Sequence, residues 1–285
     1  FLTTGEADGL SAFIGTAGVA AATPHLVTLP DGTVRLSWAN NTGVMGATID
    51  PATFGNAVIA GSAVAGVAAG PVSFPVAVPV AGGGFATIFQ VDPASADTAD
   101  LWIRVNQSNP LALDAGTGAQ KDPSAATLAN GQFVVAYDST NPTAGAQGAE
   151  FVAVNRYTSQ GQILEQITFA GAKNADVGAL ADGSWVAVFE KTDATNDSGV
   201  HLAIYRPGQG GNNAGGDFVA QVAVDTGTGN QVAPKVYVTA LGIAVSYVSN
   251  GSAMLRLYDH KGVAYGPAMS IGPAGEVDVA IEDKD

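Results

Sequence analysis

Two ladders of residues recur along this chain with one shared period. Trp38, Phe89, Tyr137, Phe189 and Tyr247 stand 51, 48, 52 and 58 residues apart, each closing an alternating apolar run behind a tight turn. Arg104, Arg156, Arg206 and Arg256 follow at intervals of 52, 50 and 50. A period of about 50 residues is the mark of a repeat architecture, in which every copy adopts one supersecondary unit. The clearest copy is Pro123–Tyr137, PSAATLANGQFVVAY, two alternating runs around Asn130-Gly131. Asn-Gly and Asp-Gly accept positive φ with little strain and match the twist of a hairpin. The other copies run from Pro24 through Asp31-Gly32 to Trp38, Pro75 through Gly82-Gly83-Gly84 to Phe89, Asp176 through Asp182-Gly183 to Phe189, and Pro234 through Leu241-Gly242 to Tyr247.

Each unit reads as four strands, A to D. In the third unit these are Ser124–Leu128, Phe133–Tyr137, Glu150–Tyr157 and Ile163–Phe169. The expected fold is all-β, a β-propeller of four-stranded antiparallel blades with five complete units plus a split sixth, hence five- or six-bladed. The units fall at approximately 24–70, 71–119, 120–172, 173–230 and 231–272 of a single domain, 1–285, with 1–23 and 273–285 as closing strands. Ring closure is preferred over an open stack because it leaves few exposed strand edges. Up-and-down strands put the A–B and C–D joints on one face and the B–C and D–A joints on the other. The long loops Val91–Asp100, Asp138–Gly148, Thr192–Ser198, Asp114–Asp122 and Asp225–Ala233 belong to the second face. Loops on a rigid scaffold carry binding, so function is expected there.

Composition narrows the partners. Only 13% of residues are charged, yet the net charge is −14, which argues against nucleic acid. The absence of cysteine removes disulfides and thiol chemistry, and suits either cytosol or secretion without oxidative folding. No uninterrupted 18-residue apolar run marks a transmembrane helix. The first residue is Phe1 rather than Met, from which a processed or excised chain is expected.

The motif P-x-V-x-x-L-x-D/N-G-x-F/W-V-V-x-W/Y/F, followed by an Arg-Tyr pair, is carried by Pro123–Tyr137 with Arg156-Tyr157 and by Leu180–Phe189. It resembles the tandem repeats of large secreted bacterial proteins that occur beside haemolysin-type (RTX) calcium repeats. The resemblance implies an extracellular or cell-surface protein with a scaffold or matrix role. The calcium nonapeptide itself is absent: Gly210-Gly211-Asn212-Asn213-Ala214-Gly215 departs from G-G-x-G-x-D at its fourth and sixth places.

No catalytic or metal signature stands out. His25, His201 and His260 form no ligand pair, Ala268–Gly272 lacks the strand-to-helix turn of a nucleophile elbow, and Asp193–Ile204 lacks the glycine and glutamate of an EF-hand. The binding candidates are the loop-face residues Asp92, Asp97 and Asp100, and Asp193 and Asp197, for which Ca2+ is a candidate ligand, together with Asp138 and with Trp102, an aromatic able to stack on a sugar. The arginine ladder is expected to pair with acidic groups or to lie over aromatics.

The expected function is a secreted, non-catalytic surface module for adhesion or scaffolding. It would bind a glycan, cation or protein through the B–C and D–A face. One alternative is a polysaccharide-acting hydrolase or lyase, ranked second because general acid/base work needs two carboxylates and Asp176 is the one acid read on the inner strands. Another is an assembly subunit that self-associates through its terminal strands.

Overall fold

The computed structural model describes residues 22–40, 43–51, 62–63, 72–91, 99–106, 108–113, 118–140, 150–192, 198–206, 217–225 and 227–277. The segments read as terminal closing strands lie mostly outside these residues. The described chain forms five four-stranded antiparallel sheets. The first is β1 (Ala22–Thr28), β2 (Val34–Asn40), β3 (Gly43–Ile49) and β4 (Ser62–Ala63). The second is β5 (Val72–Val80), β6 (Gly84–Val91), β7 (Asp100–Val105) and β8 (Leu111–Ala112). The third is β9 (Gln120–Thr127), β10 (Phe133–Ser139), β11 (Phe151–Tyr157) and β12 (Ile163–Ala170). The fourth is β13 (Ala172–Ala179), β14 (Trp185–Thr192), β15 (Ser198–Arg206) and β16 (Asp217–Asp225), and the fifth β17 (Gln231–Val238), β18 (Ile243–Ser249), β19 (Ser252–Tyr258) and β20 (Met269–Pro273). Strand order within each sheet follows the chain, and the innermost strands β1, β5, β9, β13 and β17 pack successively around a central cavity. This is the β-propeller architecture.

The turn chemistry is the same wherever the motif is intact. At Leu29–Thr33, Leu128–Gln132 and Leu180–Ser184, the leucine N–H reaches the carbonyl four residues on, and the glycine N–H returns to the leucine carbonyl. Asp31, Asn130 and Asp182 each accept the N–H two residues ahead at 2.9, 3.0 and 2.9 Å. Gly32, Gly131 and Gly183 hold φ of 83°, 77° and 84°, the left-handed region that glycine occupies without a Cβ clash. Local sequence thus sets where each hairpin turns, and with it the register of the strands.

Alternation then divides each strand between two neighbouring sheets. Phe133, Val135 and Tyr137 pack on Ile88, Leu101 and Ile103 of the second sheet, while Val134 and Ala136 join Trp185, Ala187 and Phe189 of the fourth. Ile243, Val245 and Tyr247 pack likewise on Val188, Leu202 and Ile204. The ladder aromatics Trp38, Phe89, Tyr137, Phe189 and Tyr247 are all fully buried. Burying an apolar side chain contributes about 1.5–3 kcal/mol, so these inter-sheet layers are the principal favourable term of the fold.

The arginine ladder does not occupy a single structural position. Arg104 lies opposite Thr87 and Arg256 opposite Val245, which are equivalent places, but Arg156 lies opposite Val134, one residue along, and Arg206 follows Tyr205, the partner of Trp185. A one-residue slip reverses the face of a strand residue. Arg156 accordingly donates to Glu165 Oε2 at 3.1 Å and Gln132 Oε1 at 2.7 Å within its own sheet. Arg104 donates to the Ser108 carbonyl, and Arg256 donates to the Val224 and Gly266 carbonyls beside the Tyr258 ring.

Candidate functional site

The inner strands share one irregularity. Each carries a β-bulge near its start, and within it one non-glycine residue has left-handed backbone: Thr23, Phe74, Asp122, Asn174 and Ala233, with φ between 46° and 53°. Proline follows at positions 24, 75, 123 and 234, with Ala175 in the fourth copy. Proline has no N–H, and a bulge is where a strand can dispense with a ladder hydrogen bond. The repeated proline of the motif is therefore a bulge marker.

The residue after each bulge proline, or after Ala175, faces the central cavity. These are His25, Val76, Ser124, Asp176 and Lys235, and all five line a space of about 340 Å³. Three of them tie consecutive sheets together. Ala77 N–H donates to His25 Nδ1 at 3.3 Å, Val177 N–H to Ser124 Oγ at 3.2 Å, and Val236 N–H to Asp176 Oδ2 at 2.8 Å. Ser124 also donates its hydroxyl to Asp176 Oδ1 at 2.6 Å. Both oxygens of Asp176 are thus fixed, and the carboxylate is held on the cavity wall. Burial lowers the pKa of His25 below the usual histidine value, with the charge of Asp176 opposing in part, which favours the neutral ring.

A second space of about 330 Å³ adjoins the first through Phe74, Pro123, Ser124 and Lys235, and adds Asp122 and Glu276 to its wall. The bulges lie at the end of the inner strands where Gln120, Ser139, Phe151 and Ala170 align across the third sheet. That end carries the B–C and D–A connections, the face expected to carry function. Behind the bulges runs another set of ties. Gln90, Asp138 and Glu190, the residues immediately after the ladder aromatics Phe89, Tyr137 and Phe189, accept the N–H of Asp122, Asn174 and Ala233 in the next sheet at 3.3, 2.9 and 2.8 Å. Glu190 also accepts from Asn174 Nδ2 at 2.7 Å. The pKa of Asp138 is raised to about 7, first by burial and further by Asp122 and Glu150, against the lowering effect of the Asn174 N–H.

Of the candidates named from sequence, Asp92, Asp97, Asp193 and Asp197 lie outside the described residues. Asp100 opens β7 opposite Val91, and Trp102 is half-buried against the cluster of Val44, Phe89 and Val91. Asp138 faces the third-to-fourth sheet junction as described. The three histidines stay apart: His25 on the cavity, His201 stacked at 6.0 Å on Phe189, and His260 against the Thr239 carbonyl. Among the described residues no group of three or more His, Cys, Asp or Glu is arranged to hold a metal ion. The sequence reading missed His25, Asp122, Ser124, Lys235 and Glu276 as cavity residues. For the ring of five the signal was present: each directly follows a bulge proline or its alanine substitute.

No family model matches the chain, and no curated protein matches it, so the resemblance to RTX-associated repeats gains no support. Solved structures of similar fold do match. An α-L-arabinofuranosidase from Fusarium graminearum, bound to an iminosugar inhibitor, is 12% identical with a TM-score of 0.59 over 90% of this chain and 83% of that one. A protein of unknown function from Dyadobacter fermentans is 11% identical, with a TM-score of 0.57 over 92% and 85%. An α-L-arabinanase from Penicillium chrysogenum, complexed with arabinobiose, is 14% identical, with a TM-score of 0.52 over 90% and 82%. Identities of this size speak for the fold, and activity must be argued from the site.

The expectation of a non-catalytic adhesive module is corrected here. It rested on a scarcity of carboxylates on the inner strands, whereas Asp122, Asp176 and Glu276 line the two adjoining spaces. Two of the three structures of similar fold are an arabinanase and an arabinofuranosidase. Asp122 escapes the sequence reading because a strand A that begins after the proline leaves it in the preceding loop, whereas β9 begins at Gln120.

Proposed function

We propose that this protein is a polysaccharide-acting hydrolase whose reaction centre is the bulged mouth of the central channel. One observation carries the reading: Asp176, fixed through both oxygens by Ser124 and Val236, shares its cavity with His25, Ser124 and Lys235 and stands beside a second opening lined by Asp122. Glycoside hydrolysis needs one carboxylate to act as nucleophile or base and a second carboxyl group to protonate the leaving oxygen. Asp176, immobilised and acceptor-only when ionised, suits the first role. Asp122, exposed at the rim on the adjacent inner strand, suits the second. The cavity volume is at the small end of the roughly 300–1,000 Å³ typical of ligand sites, which fits a sugar unit or two rather than a long bound stretch. Action on a polymer fits an extracellular location.

Release of reducing ends from a panel of plant and bacterial polysaccharides tests the assignment. Asp176→Asn and Asp122→Asn should each lower kcat by about 10²–10⁴-fold, the usual contribution of an acid/base group, with thermal melting confirming that each variant folds. Equal activity in wild type and Asp176→Asn, or no activity on any polymer, would refute it.

A further inference from the structure

Lys235 breaks the pattern of its ring. His25, Ser124 and Asp176 each accept the backbone N–H of the next sheet, but an ammonium has no acceptor to offer. Neither is Lys235 neutralised. Among the described residues no carboxylate pairs with it, although Asp122, Asp176 and Glu276 line the same two spaces. In a chain with 25 acidic and 11 basic residues, this is an exposed cation on the wall of both spaces, accessible to a ligand.

His25 supplies the complementary group. Its Nδ1 is taken by the Ala77 N–H, so the neutral ring carries its hydrogen on Nε2, and among the described residues that N–H has no protein acceptor. The cavity therefore offers a charged donor and a neutral donor on a wall that also carries the Asp176 carboxylate, the Ser124 and Thr23 hydroxyls and apolar groups. Two such donors match a planar, two-oxygen anion better than a lone hydroxyl, because charge-assisted hydrogen bonds are roughly twice as strong as neutral ones.

We propose that Lys235 and His25 bind the carboxylate of an acidic sugar, a uronic acid unit of the glycan. The assignment rests on the hydrolase reading of the same channel and names its substrate class.

Calorimetric titration with matched sugars tests it: glucuronate against glucose and galacturonate against galactose, on the wild type, Lys235→Gln, Lys235→Arg and His25→Gln. The wild type should bind each uronate at least tenfold more tightly than its neutral partner, and the advantage should shrink with added salt, as ion pairs are screened. Lys235→Gln should abolish the preference, Lys235→Arg keep it and His25→Gln reduce it. Equal affinity for both members of a pair, undetectable uronate binding, or a preference that survives Lys235→Gln overturns the assignment. Polymer assays separate the two readings. Cleavage of neutral polymers without a uronate preference removes only this inference, whereas uronate binding without cleavage of any polymer removes only the hydrolase.

Discussion

Asp138 and Asn174 join the third and fourth sheets through one hydrogen bond, the Asn174 N–H donating to Asp138 Oδ2 at 2.9 Å, while Asp138 Oδ1 is buried with no hydrogen-bond partner. The equivalent junctions use the neutral amide of Gln90 and the more fully bonded carboxylate of Glu190. A half-satisfied carboxylate between these two is the weak member of the series, since a buried charge without a full set of donors is destabilising.

The stability of the protein should therefore fall between mildly acidic and mildly alkaline pH. The carboxyl of Asp138 has its pKa raised from 3.8 to about 7 on folding, so it favours the folded state fully below its unfolded pKa and loses that contribution as pH rises through 7. Asp138→Asn, which imitates Gln90, should remove this dependence. By urea unfolding, the gap in stability between pH 5 and pH 8 should differ between wild type and variant by about 2–3 kcal/mol, because about two pH units separate pH 5 from the folded pKa near 7 and each is worth about 1.4 kcal/mol. Parallel pH profiles would show that Asp138 does not titrate in this range.

Two turn glycines of like backbone should respond unequally to alanine. Gly32 has open space around it, so Gly32→Ala carries only the left-handed penalty of about 1–2 kcal/mol. A Cβ at Gly131 would stand 2.4 Å from the Cβ of Ala81 in the neighbouring sheet, which adds about 1–3 kcal/mol of overpacking. Denaturant midpoints order the two; equal losses would show that the sheets separate freely at this contact.

Arg156 and Glu165 form an ion pair with side chains 12% and 4% exposed. Arg156→Leu removes the cation paired with the buried Glu165 carboxylate and should destabilise by about 3–5 kcal/mol, more than Arg156→Leu combined with Glu165→Leu. Chemical denaturation of the single and double variants decides this. A double variant weaker than the single would sink it.

Ser124 should act on the reaction through Asp176, as a positioning residue. Ser124→Ala removes a donor to Asp176 and the acceptor for Val177 N–H; a misplaced carboxylate should lower kcat on the order of 10–100-fold with little change in KM. Ser124→Thr, which keeps the hydroxyl, should restore much of the loss. Steady-state kinetics on the polymer substrate checks both, and a change confined to KM would contradict the positioning role.

What the sequence determined was local and periodic. Asp31-Gly32, Asn130-Gly131 and Asp182-Gly183 fix turns through hydrogen bonds two to four residues long, and alternation such as Phe133–Tyr137 fixes which side chains face which neighbouring sheet. Those interactions act between near neighbours in the chain, so the all-β propeller was legible. The arginine spacing misled for the same reason in reverse: equal intervals in sequence did not survive the one-residue differences in strand register that place Arg104, Arg156 and Arg206 on different sites. The cavity was decided by tertiary structure alone. His25, Val76, Ser124, Asp176 and Lys235 stand some 50 residues apart in the chain and have no pattern in common beyond the bulge before them. Only the winding of five inner strands around one axis brings an imidazole, a hydroxyl, a carboxylate and an ammonium to a single wall, because packing between sheets, not the chemistry of any one hairpin, sets where the strand starts converge.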